Sequence, residues 1–299
     1  MSKQKKIAVI GSINEDMSVI AERIPTKGET VYGDRVTYHP GGKGANQAVA
    51  MVKLGAQVEM FGCVGNDASG ERMLKNLKKN GIVTDHIKVL DDVHTGLAVI
   101  TIGDHDNTIV IVSGANERVD KNYVDEIKEI LKNYDMVVLQ HEIPLDTVHY
   151  VVEFCSEHKI PVTLNPAPAA KIPMEIVEKV TYLTPNEHEA KLIFGDKFST
   201  EELLRKYPEK LFITQGEKGV CTCLKTGEVL TVPARKSSVV DTTGAGDTLN
   251  GAFAVRIAYG DCMKKALKYA NTAAGLSVEK LGAQEGMPIA ADVENEIKE

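Results

Sequence analysis

Asp247 closes the run Asp241-Thr-Thr-Gly-Ala-Gly-Asp, and a helical pattern begins at that point. Gly244 and Gly246 let the backbone turn sharply and come close to a ligand. Free N–H groups at a helix start, aided by the helix dipole, stabilise an anion. Gly244, Ala245 and Gly246 are therefore a candidate anion hole, with Asp247 in the first helical turn. A general base fits here: it would take a hydroxyl proton while backbone N–H groups hold phosphate charge. A helix-capping aspartate after a glycine-rich turn fits the same residues.

A second glycine-rich start, Gly41-Gly42-Lys43-Gly-Ala-Asn46, leads into the helical pattern Gln47–Leu54. Lys43 and Asn46 can both point at a polar ligand there; the plainer alternative is a tight turn with a solvated lysine. Lys43 is followed by glycine rather than Ser or Thr, so this is not a Walker A loop. No G-x-G-x-x-G occurs, which removes the main support for a nicotinamide dehydrogenase. Asn14 and Asp16 lie two apart in an extended run and share a face. Such a pair suits a vicinal diol, although an Asx-type turn uses the same residue types. Asn186 and Glu189 lie three apart on one helical face. They could orient water on Mg²⁺ or phosphate, or simply cap the helix they open. Thr214-Gln-Gly216-Glu-Lys-Gly219 offers a turn and a hydroxyl suited to a nucleotide phosphate, and equally an ordinary β-turn.

These residues stand at the ends of short β-rich runs. The spacing predicts strands over Ile7–Ile10, Val58–Cys63, Met136–Gln140, Pro161–Leu164, Tyr182–Thr184, Leu211–Thr214, Val220–Leu224 and Val229–Val232. It predicts helices over Ala45–Leu54, Ser69–Asn80, Lys121–Lys132, Asp146–His158, Glu187–Phe194 and Thr200–Lys206, and mostly helix from Asp247 onward. Such alternation indicates a largely parallel sheet with helices on both faces, whose ligands bind at the C-terminal strand ends. Two segments break it. Residues 15–40 carry strand patterns with no helix between, and residues 95–112 read as a hairpin joined by Asp104-His105-Asp106. They predict a small separate sheet, a lid or an oligomer interface, with an extension of the main sheet as the alternative.

Composition narrows the function classes. Of 299 residues, 43% are apolar and 26% charged, which fits a soluble globular chain. A net charge of −7 argues against gripping nucleic acid through phosphates, and the absence of Trp argues against a base-stacking platform. No apolar run reaches the ~18 residues a membrane span needs. Ile7–Ile10, after the basic start Met1–Lys6, is too short for a signal-peptide core, so a cytoplasmic protein is expected. Five cysteines without C-x-x-C spacing point to reduced thiols. His141-Glu142-Ile-Pro144 lacks the second histidine of a zinc-protease motif.

In combination the motifs resemble one family. "GGKGAN" and "DTTGAGDTLNGA" are similar to the two signatures of the ribokinase-like (PfkB) carbohydrate kinases. "NPAPA" (165–169), "TPNEHE" (184–189), "ITQGEKG" (213–219) and "GAQ" (282–284) follow in the family's order, so the likeness covers essentially the whole chain. The resemblance implies an α/β fold, a Rossmann-like three-layer sandwich with a mostly parallel central sheet and a small inserted β-sheet lid. The kinase body would comprise residues 1–14, 41–94 and 115–299, and the lid residues 15–40 and 95–114.

The activity implied is ATP-dependent phosphorylation of D-ribose at its 5-hydroxyl. The alternatives are a kinase of deoxyribose, a nucleoside or a ketohexose, or a non-catalytic sugar-binding protein on this fold. By the likeness, Asn14, Asp16, Gly42, Lys43, Asn46 and Glu142 would hold the sugar. Asp247 would be the base, beside the anion hole of Gly244, Ala245 and Gly246. Asn186, Thr214, Gly216, Gly219, Gly246 and Asn271 would touch ATP, and Glu189 would place Mg²⁺ through water. A monovalent cation, K⁺, would sit behind the anion hole on Asp241 and carbonyls near Thr243, Ser277, Lys280 and Gly282. Gly286 stands where the family places a hydroxyl ligand, and a serine there is expected to tighten the cation. The stretch between Phe194 and Leu211 is short for the family. The lid would clasp a second lid in a homodimer, with neither nucleic acid nor membrane as partner.

Overall fold

The computed structural model describes residues 4–104 and 106–298. Among them run thirteen strands: β1 (Lys6–Ile10), β2 (Asn14–Ala21), β3 (Gly33–Gly41), β4 (Gln57–Gly65), β5 (Ile87–Leu90), β6 (Gly96–Gly103), β7 (Asp106–Val112), β8 (Met136–Gln140), β9 (Val162–Asn165), β10 (Tyr182–Leu183), β11 (Phe212–Thr214), β12 (Val220–Cys223) and β13 (Val229–Val232). The helices are α1 (Lys43–Lys53), α2 (Ala68–Lys79), α3 (Lys121–Leu131), α4 (Leu145–Glu157), α5 (Met174–Lys179), α6 (Glu187–Phe194), α7 (Thr200–Lys206), α8 (Ala245–Ala258), α9 (Met263–Ser277) and α10 (Ala290–Lys298).

Strand β1 shows why the body has three layers. Ile7 and Val9 enter one apolar cluster while Ala8 and Ile10 enter another, and all four are fully buried. Met136-Val-Val-Leu of β8 alternates in the same way. Strands covered on both faces pair in parallel through helical crossovers. The order is β10-β9-β8-β1-β4-β5. One cluster draws on α1, α8 and α9, the other on α3, α4 and α5.

Strands β11, β12 and β13 form an antiparallel sheet, joined to β10 by a single parallel bridge at Leu183–Leu211 and to the start of α6 by another at Asn186–Thr214. The alternation predicts a largely parallel sheet, and these three strands depart from it. The links from β11 to β12 and from β12 to β13 are turns, too short for the crossover that parallel pairing needs.

A four-stranded sheet, β3-β2-β6-β7, stands apart from the main one. The predicted hairpin is present, with Gly103 paired to Asp106 and Asp104 at φ 54°; its tip, His105, lies outside the described residues, as do residues 1–3 of the basic start. Strand β3 begins at Gly33, leaving the β-rich Thr30–Tyr32 outside it. Asn14 pairs with Gly41, so both belong to this sheet's root rather than to the body alone. That root is strapped to α2. Arg72 donates to both carboxylate oxygens of buried Glu15, at 2.6 and 2.7 Å, and Asp67 takes the Thr95 N–H at 2.9 Å.

Helices α1 and α8 cross closely. A Cβ on Gly251 would lie 2.9 Å from the Ala50 methyl, so only glycine permits the approach. One turn before each of these residues stand Asn46 and Gln47 on α1 and Asp247 on α8.

Candidate active site

Asn14, Asp16, Gly42, Lys43, Asn46, Glu142 and Asp247 gather where chain ends meet: after β1, at the start of α1, after β8 and at the start of α8. Strand ends of a parallel sheet and helix N-termini point their free groups to the same side. Helix α1 opens at Gly42, with φ 87° and no side-chain cap of its own. Glu142 supplies the cap across space. Its Oε2 accepts from the Lys43 N–H at 3.0 Å and from the Ser12 hydroxyl at 2.6 Å. Glu142 thus ties the residues after β1 to the start of α1.

Asp247 is buried, and two amides hold it. Asn46 Nδ2 donates to Oδ2 and Gln47 Nε2 donates to Oδ1, each at 3.0 Å. Burial pushes its carboxyl up, against the pull of Lys43 and the two amide donors. Asp16 is half-buried, and its carboxyl is pushed up to about 7 by burial first, then by the nearby Glu142 and Asp247. A Cβ on Gly41 would overlap the Asp16 carboxylate, so glycine makes its seat. Burial works against the Lys43 ammonium, but Asp247, Glu142, Glu189 and Asp16 outweigh it and raise Lys43 above its ordinary value. Asn14 is buried and accepts from Asn116 Nδ2 at 2.7 Å, while Asn116 Oδ1 takes the Ile13 N–H at 2.9 Å.

The start of α8 differs from expectation in one respect. Gly244 lies at φ 77° with its α-carbon against Ala283, and the first helical bond runs from Thr248 N to Gly244 O at 2.8 Å. Ala245 N donates at 3.2 Å to the Thr242 carbonyl, which closes the turn. Of the predicted anion-hole donors, the Ala245 N–H is thus taken by the turn, while the N–H groups of Gly244, Gly246 and Asp247 have no acceptor within the helix.

Of the two readings of Asn186 and Glu189, the helix cap is built. Asn186 Oδ1 takes the Glu189 N–H and Glu189 Oε2 takes the Asn186 N–H, each at 2.8 Å. Asn271 is buried and donates to the carbonyls of Val232 at 2.7 Å and Pro233 at 3.2 Å, so it holds the end of β13. Thr214 ends β11. Gly216 and Gly219 have φ of 55° and 100°, and Gly216 is open to solvent.

Behind the α8 turn, Asp241 Oδ1 accepts from the Thr243 N–H and hydroxyl and Oδ2 from the Gly282 N–H. These bonds hold its carboxyl below its ordinary range, against the opposing effect of burial. Ser277 is buried and Lys280 exposed. The carbonyls of Ser277 and Gly282 converge on the α-carbon of Gly286, and a Cβ there would overlap the Ser277 oxygen. A serine at 286 therefore displaces that carbonyl instead of adding a ligand beside it, and the expected gain from serine is withdrawn. Among the described residues no group of three His, Cys, Asp or Glu side chains could hold a metal.

Several contributors carry little signal in the sequence. Gln47, Asn116 and Gln284 are buried amides whose partners lie far along the chain, and nothing local marks them. Glu15 and Arg72 look like surface charges until β2 and α2 meet.

A buried carboxylate at a glycine-bounded helix start, beside polar side chains at the strand ends of an α/β body, suits group transfer to a small polar molecule. The pfkB family carbohydrate kinase description matches residues 4–290, and the chain belongs to that family. It is 47% identical over 290 residues to the ribokinase of Bacillus subtilis, covering 97% of this chain and 98% of that one. It is 44% identical over 296 residues to the ribokinase of Lactococcus lactis, covering 98% and 97%. The solved structure of Arabidopsis thaliana ribokinase complexed with ribose and ATP superposes with a TM-score of 0.91 at 31% identity, covering 99% of this chain and all of that one.

Proposed function

We propose that this chain transfers the γ-phosphoryl group of ATP to the 5-hydroxyl of D-ribose. The observation that carries the reading is the buried Asp247 carboxylate, held by two amides at a helix start whose next free groups are backbone N–H donors. Asp247 takes the hydroxyl proton as the oxygen attacks in line. The N–H groups of Gly244, Gly246 and Asp247 meet the charge that builds on the phosphoryl oxygens. Ala245 closes that turn through the Thr242 carbonyl. Asp16, Asn14, Asn46 and Lys43 grip the sugar hydroxyls, with Gly42 and Glu142 forming the wall. Thr214, Gly216, Gly219, Asn186 and Asn271 border the nucleotide.

Mg²⁺, where bound with ATP, would neutralise phosphate charge. Glu189 is placed to orient its water, since the capping box uses Oε2 and leaves Oε1 outside it. The convergent carbonyls of Ser277 and Gly282, with Thr243, Lys280 and Asp241 around the same loops, fit a monovalent cation such as K⁺. Activity rising with added KCl at constant ionic strength supports that site, and a flat response removes it.

The β3-β2-β6-β7 sheet serves as the lid, over residues 15–40 and 95–114, with the rest as body. Val36, Tyr38, Ile109, Val110, Ile111 and Val112 are exposed on its two edge strands, which suits the same sheet of a second copy. Among the described residues no helix is long and apolar enough to cross a membrane. Four of the five free cysteines are buried, which suits the cytoplasm as the working compartment. The test of function is ADP release with ribose, deoxyribose, fructose, adenosine and pseudouridine. Ribose giving the highest kcat/KM supports the reading; another member of the panel leading by tenfold or more replaces it.

A further inference from the structure

The Asp247 carboxylate sets the polarity of every amide around it. A carboxylate only accepts, so Asn46 presents Nδ2 to it and must turn Oδ1 away. Gln284 Nε2 donates to that Oδ1 at 2.9 Å. Gln284 Oε1 is then left to accept, and Asn76 Nδ2 donates to it at 2.7 Å. Asn76 Oδ1 in turn takes Asn80 Nδ2 at 3.3 Å. Four amides from α2, the 282–286 loop and α1 thus line up with every NH₂ end facing the base. Lys53 holds the loop in place through the carbonyls of Gln284 at 2.6 Å and Met287 at 3.1 Å.

The second oxygen has its own line. Gln47 Nε2 donates to Oδ1, and Gln140 Nε2 donates to Gln47 Oε1 at 2.7 Å. Gln140 Oε1 ends this line buried and without a hydrogen-bond partner among the described residues. Turning Gln140 over would set its oxygen against that of Gln47, so the orphaned acceptor is the cost of keeping the polarity.

We propose that Asn76 and Gln284 are positioning residues for phosphoryl transfer, keeping the Asn46 amide turned so that it donates to Asp247. The proposal rests on Asp247 being the base. Neither side chain reaches the carboxylate itself; each acts through the next amide. The charged groups facing Asp247 are Lys43 on α1, Glu142 after β8 and Asp16 on β2, and none belongs to the line.

Asn76→Asp reverses the line. An aspartate only accepts, so Gln284 must present Nε2 to it and Oε1 to Asn46. Asn46 then turns its oxygen toward Asp247, and the base holds its proton to higher pH. The acid limb of the kcat–pH profile is expected to move up by about one unit. The KM for ribose should rise several-fold while that for ATP stays within twofold. Gln284→Glu forces the same reversal one step nearer the base and should move the limb at least as far. Asn76→Ala ends the line without reversing it and should move the limb less than either. Thermal melting identifies the variants that fold. A residue that merely stabilised the fold would lower Tm and leave the limb in place. Folded Asn76→Asp or Gln284→Glu protein with the parent's acid limb overturns the proposal. Asp247→Asn, measured alongside, separates the two failures. If it keeps more than half of the parent's turnover, the base assignment falls and this proposal with it. If it is inactive and the limbs coincide, only the positioning role falls.

Discussion

The two halves of the site, one proposed for the sugar and one for the nucleotide, are built on different plans. On the sugar side, Asn14, Asn46 and Asp247 are buried, and each is held by a second buried amide: Asn116, Gln284 and Gln47 respectively. Their geometry is set before any ligand arrives, and reacting groups held in advance need little reorganisation. On the nucleotide side, the side chains of Asn186 and Asn271 are spent on the backbone, and Gly216 is open. That half offers turns and main-chain groups rather than a grid of interlocked side chains. A discriminating half needs precise polar partners, because rejecting a sugar that lacks one hydroxyl depends on leaving a buried group unpaired. A half that receives one common nucleotide can rely on backbone.

This contrast orders the expected effects. The largest is on the chemical step: Asp247→Asn should lower kcat by ~10²–10⁴ with ATP affinity nearly intact. Steady-state kinetics check it, and a variant with more than half of the parent's turnover returns Asp247 to the role of a helix cap.

Next is the sugar grip. Asp16→Ala should raise the ribose KM by roughly 5- to 150-fold, the equivalent of about 1–3 kcal/mol for a lost charged hydrogen-bond partner. The ATP KM should barely move. Asn271→Ala should do the opposite: it frees the end of β13, lowers Tm, and touches only the ATP KM. If Asp16→Ala raises the ATP KM and spares that for ribose, the two halves have been assigned the wrong way round.

The smallest effect is on the pH dependence of stability without substrate. Asp16 titrates at about 7 in the folded chain, against 3.8 as the ordinary value. The native state therefore binds the extra proton, so stability falls as pH rises from about 4 to 7. Asp247, raised in the same direction by burial, adds to the slope. Asp16→Asn should flatten the fall in Tm across that window. An unchanged slope would mean that Asp16 ionises freely and that the pocket is wetter than its burial implies.

Much of the body was legible because its signals are local. Met136–Gln140 and Glu187–Phe194 match the predicted bounds, since a β-branched apolar run and a proline-led capping box speak for themselves. The turns at Gly42 and Gly244 were readable for the same reason. Strand β5 and helix α5 were not, with four and six residues and no periodicity to find. The amides behind Asp247 were also hidden. Gln284 and Asn76 are 208 residues apart, and only the folded chain brings α2 against the loop that follows α9. The Asn186–Glu189 pair shows the converse. Its spacing permitted two readings, and the cap is observed while the ligand role waits on a bound nucleotide.

The most direct test of the whole account is the product itself. Purified protein with ATP, Mg²⁺, K⁺ and D-ribose should show, by ³¹P NMR, ADP appearing in step with a phosphomonoester coupled to the two protons of C5. A phosphate coupled to the single proton at C1, or ATP consumed without any sugar ester, would contradict it.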